Sequence, residues 1–140
     1  MGIFVELIYN MPKKTVRKTR VVRTRGAGTL TESAFWTMIR STLRNKSRFW
    51  APIKVCKENS RRRYKGPNRL QKWEYLCNSC KQWFPEKQIN VDHIVPAGRL
   101  NSKHDLPDFV ETLFCEVENL QVLCSSCHNT KTKNEKTSYG

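Results

Sequence analysis

The segments Cys77-Asn78-Ser79-Cys80 and Cys124-Ser125-Ser126-Cys127 are two C-x-x-C pairs of potential metal ligands. Two residues between two thiolates allow one short turn to aim both sulfurs at a single ion, and two such turns complete a tetrahedron. The 43 residues between the pairs permit this arrangement without requiring it. Four ordinary core cysteines or a redox pair are the alternative, although two matched pairs rarely arise by accident. We predict a structural zinc ion held by Cys77, Cys80, Cys124 and Cys127.

The other cysteines and the first residues bear on the compartment of the protein. Cys56 and Cys115 lie on predicted apolar helix faces, where a cysteine is usually a small core residue. Residues 2–9 are apolar but short, contain an acid, and lack the basic region and cleavage site of a signal peptide. Without such a signal, six cysteines are expected to be reduced thiols or metal ligands. We expect an intracellular protein and leave residues 1–10 out of the fold prediction.

The charge of the chain is unevenly distributed. The formal net charge is +14, but residues 11–72 hold 19 Lys and Arg against two Glu, a net of +17, while residues 73–140 have a net of −2. A nucleic acid is the simplest partner for the basic half, because neutralising phosphates releases counterions and supplies most of the non-specific affinity. A membrane is not an expected partner, since no apolar run approaches the length of a transmembrane span.

Local patterns predict two helices in the basic half. The capping-box spacing of Thr29 and Glu32 predicts a helix from about Glu32 to Lys46, with apolar residues on one face. Pro52 predicts the first turn of a second helix, which the segment Gly66-Pro67-Asn68 ends. The run Arg61-Arg62-Arg63 is expected to form the basic exit of this second helix.

The C-terminal half mixes aromatic and turn residues in short segments, which together with the two helices predicts an α+β fold. A hairpin is expected to carry the first cysteine pair, followed by a strand or turn at Ile89-Asn90-Val91. A polar loop from Arg99 to Asp108, an apolar helix from about Leu106 to Val117, and a closing helix that begins near Cys124 complete the prediction.

Polar residues that suit catalysis accompany the cysteines. Asp92 and His93 are adjacent, Asn119 follows His93 by 26 residues, and His128 comes nine residues later, directly after the last cysteine of the second pair. An adjacent acid and histidine alone are weak evidence, and a structural zinc finger that carries histidines is the alternative. Combined with the cysteines the set is specific, because folding around zinc would fix the helix that holds His128. His104, in the polar loop, is expected to be exposed to solvent.

Three segments together resemble the HNH endonuclease family: Asp92-His93, Glu118-Asn119-Leu120-Gln121-Val122-Leu123-Cys124, and Cys127-His128-Asn129-Thr130-Lys131-Thr132. The resemblance covers residues 73–132 and implies a ββα-metal (His-Me finger) core, which in that family is often pinned by four cysteines. More loosely, through Phe49-Trp50-Ala51-Pro52, the chain is similar to small HNH proteins of bacteriophages, which begin with a basic helical region.

The local patterns and this resemblance together divide the chain into four parts. We expect a flexible basic arm over residues 1–28, a basic helical region over residues 29–72, an HNH nuclease domain over residues 73–133, and a frayed tail over residues 134–140. The fold class that follows is an α+β protein with a zinc-stabilised ββα-metal core after a basic N-terminal helical region.

The resemblance also implies roles for the polar residues. His93 would be the general base, Asp92 and His128 would hold one catalytic Mg²⁺ or Mn²⁺, and Asn119 would fix the orientation of His93. The chemistry agrees, because an imidazole that titrates near neutral pH can accept a proton from water. A carboxylate and a neutral imidazole can hold a cation that keeps open positions for water and phosphate.

Basic side chains that flank the predicted nuclease core or lie within it are candidates for contact with the DNA backbone. They are Arg61, Arg62, Arg63, Lys65, Arg69, Lys72, Arg99 and Lys131. A solvated helix face is the alternative for the first six, and packing at the helix end is the alternative for Lys131. The tryptophans are expected to be core residues rather than base-stacking platforms, because a small domain needs large apolar groups to bury.

The expected function is hydrolysis of phosphodiester bonds in double-stranded DNA, leaving 5′-phosphate and 3′-hydroxyl ends as the resemblance implies. A non-catalytic zinc-dependent DNA-binding protein is the first alternative, and an RNA-directed or toxin-like nuclease is the second. The likeness to bacteriophage proteins adds other phage proteins as candidate partners and the host cytoplasm as the expected location. Oligomeric state and sequence specificity are left open by the sequence.

Overall fold

A computed structural model describes residues 15–138 of the chain, which form a mixed α+β structure with two small sheets. The helices are α1 (Glu32–Ser47), α2 (Ala51–Asn59), α3 (Leu106–Leu113) and α4 (Ser125–Ser138). The strands are β1 (Arg61–Arg63), β2 (Trp73–Leu76), β3 (Trp83–Phe84), β4 (Ile89–His93) and β5 (Leu120–Cys124). Short 3₁₀ turns cover Glu86–Gln88, Lys103–Asp105 and Val117–Asn119. The predicted α+β class is confirmed, while half of the predicted arm, residues 1–14, and the tail residues 139 and 140 lie outside the described residues.

Both sheets are antiparallel. The first has the order β1-β2-β3, and its β2–β3 hairpin carries the first cysteine pair in the turn, as predicted. The second pairs β4 with β5 in a register that runs from Ile89 opposite Cys124 to His93 opposite Leu120. Helix α4 follows β5 without a loop. An antiparallel strand pair and a helix are therefore consecutive around residues 89–138, with α3 in the connection between the strands.

The residues just before α1 pack against it. Arg25 and Leu30 form a β-bridge around a turn in which Gly26, Ala27 and Gly28 all have positive φ. The Arg25 guanidinium makes an ion pair of 2.8 Å with Glu32 and lies 4.5 Å from the centre of the Phe35 ring. The last residues of the predicted arm are thus attached to α1, whereas residues 15–24 are exposed and have no regular secondary structure.

Helix α1 has the predicted extent, but the predicted capping box at its start is wrong. The residue that caps it is Thr31, whose Oγ1 accepts a hydrogen bond from the Ala34 backbone N–H at 3.1 Å. Thr29 instead donates its hydroxyl to the Gly26 carbonyl at 2.6 Å, because it belongs to the glycine turn. The Glu32 carboxylate forms an ion pair with Arg25 and accepts a hydrogen bond from the Trp36 indole N–H at 2.9 Å, so it does not complete a capping box.

Helix α2 begins at the predicted proline but ends before the three arginines. Trp50, the residue before α2, donates its indole N–H to the Cys115 carbonyl at 2.7 Å and so fixes the start of the helix. Residues Arg61–Arg63 form strand β1, which pairs with Trp73–Tyr75. The prediction of a helical exit there is wrong, because pairing with a strand ten residues later overrides the local pattern.

Three buried clusters hold the elements together. Cys56 on α2 packs with Tyr75 and Val122, which joins α2 to both sheets. Trp36 on α1 packs with Phe109 on α3. The third cluster surrounds the cysteines and includes Leu123 of β5. Cys56 and Trp36 are core residues as predicted, and burial, together with the nearby Cys115, raises the pKa of the Cys56 thiol.

The connection between β4 and β5 differs from its prediction. Helix α3 ends at Leu113 and not near Val117, and residues Val117–Asn119 form a separate 3₁₀ turn. Leu113 is almost completely buried, so α3 is anchored at its C-terminal end next to the end of β4. This arrangement brings both Leu113 and Asn119 close to the residues that follow Asp92.

Candidate functional site

Four cysteine side chains converge where the two sheets and α4 meet. Cys77 and Cys80 lie in the β2–β3 turn, Cys124 ends β5, and Cys127 lies in the first turn of α4. Their sulfur atoms all lie within 4.8 Å of one another, and Cys80 Sγ is 4.0 Å from Cys124 Sγ. Tetrahedral zinc with Zn–S bonds of about 2.3 Å separates its sulfurs by about 3.8 Å. The cysteine cluster is therefore compatible with a structural zinc ion.

Hydrogen bonds within the cysteine cluster shift the pKa values of its thiols in opposite directions. Burial raises the pKa of Cys77, but backbone hydrogen bonds from Cys124, Cys80 and Ser79 outweigh it and lower that pKa to about 6. Hydrogen bonding with Cys124 contributes most to raising the pKa of Cys127 to about 11. The four thiols therefore do not all lose their protons together near neutral pH, and a bound cation would stabilise all four thiolates at once.

Asp92 and His128 face each other beside this cluster. The Asp92 side chain, 14% exposed, places Oδ1 at 3.8 Å from Nε2 of His128. Its other oxygen, Oδ2, forms an ion pair with Lys131 Nζ at 2.8 Å and accepts a hydrogen bond from Gln121 Nε2 at 3.2 Å. One carboxylate oxygen is thus engaged by the protein, and the other is directed to the imidazole. We call Asp92 and His128 the open pair.

The donor set of the open pair fits a divalent cation. Two ligands that each lie about 2.1 Å from one ion can be at most about 4.2 Å apart, so the measured 3.8 Å is compatible with shared coordination. A carboxylate and an imidazole suit Mg²⁺, Mn²⁺ or Zn²⁺, and two protein ligands would leave several positions for water or phosphate. The Lys131 ammonium is balanced by a second ion pair, with Glu135 at 2.6 Å.

His93 ends β4 and is half-buried. Successive side chains of a strand point to opposite sides, so the His93 ring lies across the strand from Asp92. Its Nε2 is 2.9 Å from the carbonyl oxygen of Leu113. Because a carbonyl only accepts, Nε2 carries the hydrogen, and Nδ1 of the neutral ring holds the free lone pair. The His93 backbone carbonyl accepts a hydrogen bond from Lys131 Nζ at 2.7 Å.

Asn119 supports the backbone that follows His93 and not the imidazole ring. Its Oδ1 accepts from the Val95 N–H at 2.8 Å, and its Nδ2 donates to the Val95 carbonyl at 3.2 Å. The Asn119 carbonyl also accepts from the Ile94 N–H at 2.9 Å. The orienting role that the sequence suggested for Asn119 would therefore act on His93 through two residues of main chain.

No protein family, curated protein or solved structure matches this chain. Its function is therefore inferred from the side chains and their geometry. Among residues 15–138, no helix combines the length and the apolar composition needed to cross a membrane.

The three arginines of β1 divide between the two faces of the first sheet. Arg61 and Arg63 both stack on Trp73, with guanidinium carbons 4.0 and 4.4 Å from the ring centre. Arg62 points to the other face, where it lies 3.8 Å from the Trp83 ring centre and bonds Glu74 at 2.6 Å. Within the described part of the chain, only Arg62 of the three forms an ion pair. Both tryptophans are half-buried and lie beneath arginines.

The remaining predicted DNA contacts have different surroundings. Lys65, Arg69 and Lys72 are exposed in the connection between β1 and β2, and Arg99 is exposed with its Nε 3.9 Å from Asp105. Lys131 is turned inward to the open pair. Burial lowers its pKa, but the bonds to Asp92 and Glu135 outweigh this and raise it. His104 is exposed in a 3₁₀ turn, as expected.

Sequence reasoning missed Gln121 and Glu135 as neighbours of the site. Gln121 lies directly opposite Asp92 in the β4–β5 register, and Glu135 lies one helical turn after Lys131. The helical spacing of Lys131 and Glu135 is visible in the sequence. The strand register is not, because residues 92 and 121 pair across a connection that contains a helix.

Proposed function

We propose that this chain is a metal-dependent endonuclease of the HNH type that hydrolyses phosphodiester bonds in DNA. The observation that carries the proposal is the open pair, with Asp92 Oδ1 and His128 Nε2 3.8 Å apart beside the strand end that carries His93. The cysteine cluster uses none of these residues. Their positions at the end of strand β4 and in the first turns of helix α4 support a hydrolytic site, and the HNH resemblance names its class.

The side chains have complementary roles in this proposal. Asp92 and His128 would hold Mg²⁺ or Mn²⁺, which supplies charge stabilisation for the phosphate and the leaving 3′ oxygen. His93 accepts a proton from the attacking water at Nδ1, because Nε2 donates to the Leu113 carbonyl. That carbonyl also stabilises the imidazolium that forms. Asn119 keeps the main chain after His93 in place through its two bonds to Val95.

A nucleic acid is the substrate class that the charge favours, and the HNH resemblance favours DNA within that class. Arg61 and Arg63 form no ion pair within the described residues, and both guanidiniums rest on one tryptophan ring. Stacking holds a guanidinium while leaving its N–H edges available for phosphate oxygens. The connection from residue 64 to residue 72 adds Lys65, Arg69 and Lys72 next to this face.

A second candidate function is DNA binding without catalysis. The observation that favours it is the 2.8 Å ion pair between Lys131 and Asp92, because this ammonium gives the carboxylate a structural partner that is not a metal ion. In that case His93 and His128 would be ordinary polar residues. An RNA-directed nuclease is the third outcome, and it would use the same residues on another substrate.

Cleavage of a supercoiled plasmid and of a structured RNA, each in Mg²⁺ or Mn²⁺, separates these candidates. We expect the wild-type protein to nick or cut the plasmid and His93→Ala to be slower by about 10² to 10⁴, the usual contribution of a general base. His104→Ala is the matched control, because His104 is exposed and, within the described residues, forms no side-chain hydrogen bond or ion pair with the site. Equal rates for His93→Ala and His104→Ala would remove the proposed base, and cleavage of RNA alone would change the substrate.

A further inference from the structure

A chain of side-chain hydrogen bonds connects the cysteine cluster to the open pair. Lys81 Nζ donates to Asn78 Oδ1 at 2.9 Å, and Asn78 Nδ2 donates to Gln121 Oε1 at 2.8 Å. Gln121 Nε2 then donates to Asp92 Oδ2 at 3.2 Å. We call Lys81, Asn78 and Gln121 the amide relay. Its two ends are an ammonium in the β2–β3 turn and the carboxylate of the open pair.

The amide relay has one consistent direction. Each amide accepts on its oxygen and donates from its nitrogen, so every donor in the series points to Asp92. Turning the Gln121 amide over would place its oxygen against Asp92 Oδ2 and its nitrogen against Asn78 Nδ2, which loses both bonds. A cation at one end and an anion at the other polarise the intervening amides in the same sense.

The turn that carries the first cysteine pair fixes the start of the relay. Asn78 lies between Cys77 and Cys80, and its backbone N–H donates to the Val122 carbonyl on β5 at 2.8 Å. Lys81 has a φ of 59° and closes the turn through its backbone N–H, which donates to the Cys77 carbonyl at 3.0 Å. The turn that carries Cys77 and Cys80 therefore holds both Lys81, which bonds Asn78, and Asn78, which bonds the Gln121 amide.

The end of the relay determines which Asp92 oxygen remains for a ligand. Gln121 and Lys131 both bond Oδ2, and Oδ1 is left facing His128 at 3.8 Å. We propose that Gln121, held by Asn78, is a positioning residue that keeps Oδ1 directed to His128, so that the zinc-binding turn sets the cation affinity of the open pair. This inference rests on the proposed function, because it takes Asp92 and His128 as ligands of the catalytic cation.

Mn²⁺ binding to the full-length, zinc-loaded protein without DNA tests the relay independently of cleavage. Titration followed by electron paramagnetic resonance gives the affinity for free Mn²⁺. Gln121→Leu removes the donor to Asp92, and we expect affinity to fall about tenfold, the lower end of the usual effect of losing a partner that orients a metal ligand. Asn78→Asp replaces the donor to Gln121 with an acceptor, and we expect a smaller fall in the same direction.

Gln82→Leu is the matched control, because Gln82 is an exposed glutamine of the same turn that lies outside the relay. It should bind Mn²⁺ like the wild type, and all variants should retain zinc and their melting temperature. Asp92→Ala provides the reference for a lost ligand. If Asp92→Ala abolishes Mn²⁺ binding while Gln121→Leu and Asn78→Asp match the wild type, the relay is refuted and the proposed function survives. If Asp92→Ala binds Mn²⁺ like the wild type, the proposed catalytic site fails and the relay fails with it.

Discussion

The cysteine cluster and the open pair share helix α4 but surround an ion to different extents. The cysteine cluster offers four sulfurs within 4.8 Å of one another, which completes a tetrahedron. The open pair offers two donors 3.8 Å apart, which leaves coordination positions unfilled. A closed site contributes its binding free energy to folding, whereas an open site has positions for reacting groups. Cys127 and His128 are neighbours in α4, yet we expect their loss to have opposite consequences for folding and activity.

The largest expected effect is the loss of a zinc ligand. Cys80→Ser or Cys127→Ser should release zinc and remove several kcal/mol or more of stability, because apparent zinc-binding energies are on the order of 10 kcal/mol and domains are stable by about 5 to 15 kcal/mol. Circular dichroism and zinc content measure both losses.

Cys115→Ser is the matched control for the zinc prediction. Cys115 is half-buried and lies outside the cluster, so this variant should keep its zinc and most of its stability. A Cys127→Ser protein that stays folded and zinc-free would show that the cluster is an ordinary part of the core, and the comparison with the open pair would collapse.

The next effect concerns the open pair itself. Asp92→Ala or His128→Ala should fold and retain zinc but need much more Mg²⁺ or Mn²⁺ for cleavage, or lose activity, because each removes one of two protein ligands. His93→Ala should leave Mn²⁺ affinity unchanged while cleavage slows by about 10² to 10⁴. Calorimetric Mn²⁺ titration beside plasmid cleavage distinguishes the two patterns. An Asp92→Ala protein with wild-type metal dependence would contradict the assignment of this ligand.

The difference between the two sites also explains what the sequence could predict. C-x-x-C spacing is local, so the four cysteines could be grouped before any fold was known. Helix α1 could be predicted equally well, because the spacing of its apolar residues and the polar residues at its start are contained in one segment. Which threonine caps the helix, Thr29 or Thr31, could not be predicted, because it depends on the glycine turn. The positions of Asp92 and His128 relative to each other depend on tertiary packing, and only the family resemblance pointed to their proximity.

Long-range pairing accounts for what was missed. The sequence Arg61-Arg62-Arg63 has neither β-branched residues nor alternation, and it becomes a strand because Trp73–Tyr75 pairs with it. Gln121 could not be assigned because a shift of one residue in the β4–β5 register would turn its side chain to the other face. Lys131 was expected to contact a DNA phosphate or to pack at the helix end, but its ammonium forms ion pairs with Asp92 and Glu135 inside the site.

The smallest expected effect concerns DNA affinity. It distinguishes the sites because, under the proposed function, the open pair acts on a phosphate and the cysteine cluster does not. Arg61 and Arg63 share one face and one tryptophan, whereas Arg62 is engaged by Glu74 on the other face. Each phosphate contact contributes about 0.9 to the slope of log affinity against log salt for duplex DNA. The double variant Arg61→Ala, Arg63→Ala should therefore flatten the slope by about 1.8, with zinc content and Mn²⁺ affinity unchanged.

Arg62→Ala is the matched control and should keep the wild-type slope. Fluorescence anisotropy across a salt series measures both, and equal slopes for the double variant and the wild type would mean that DNA reaches the open pair by another face.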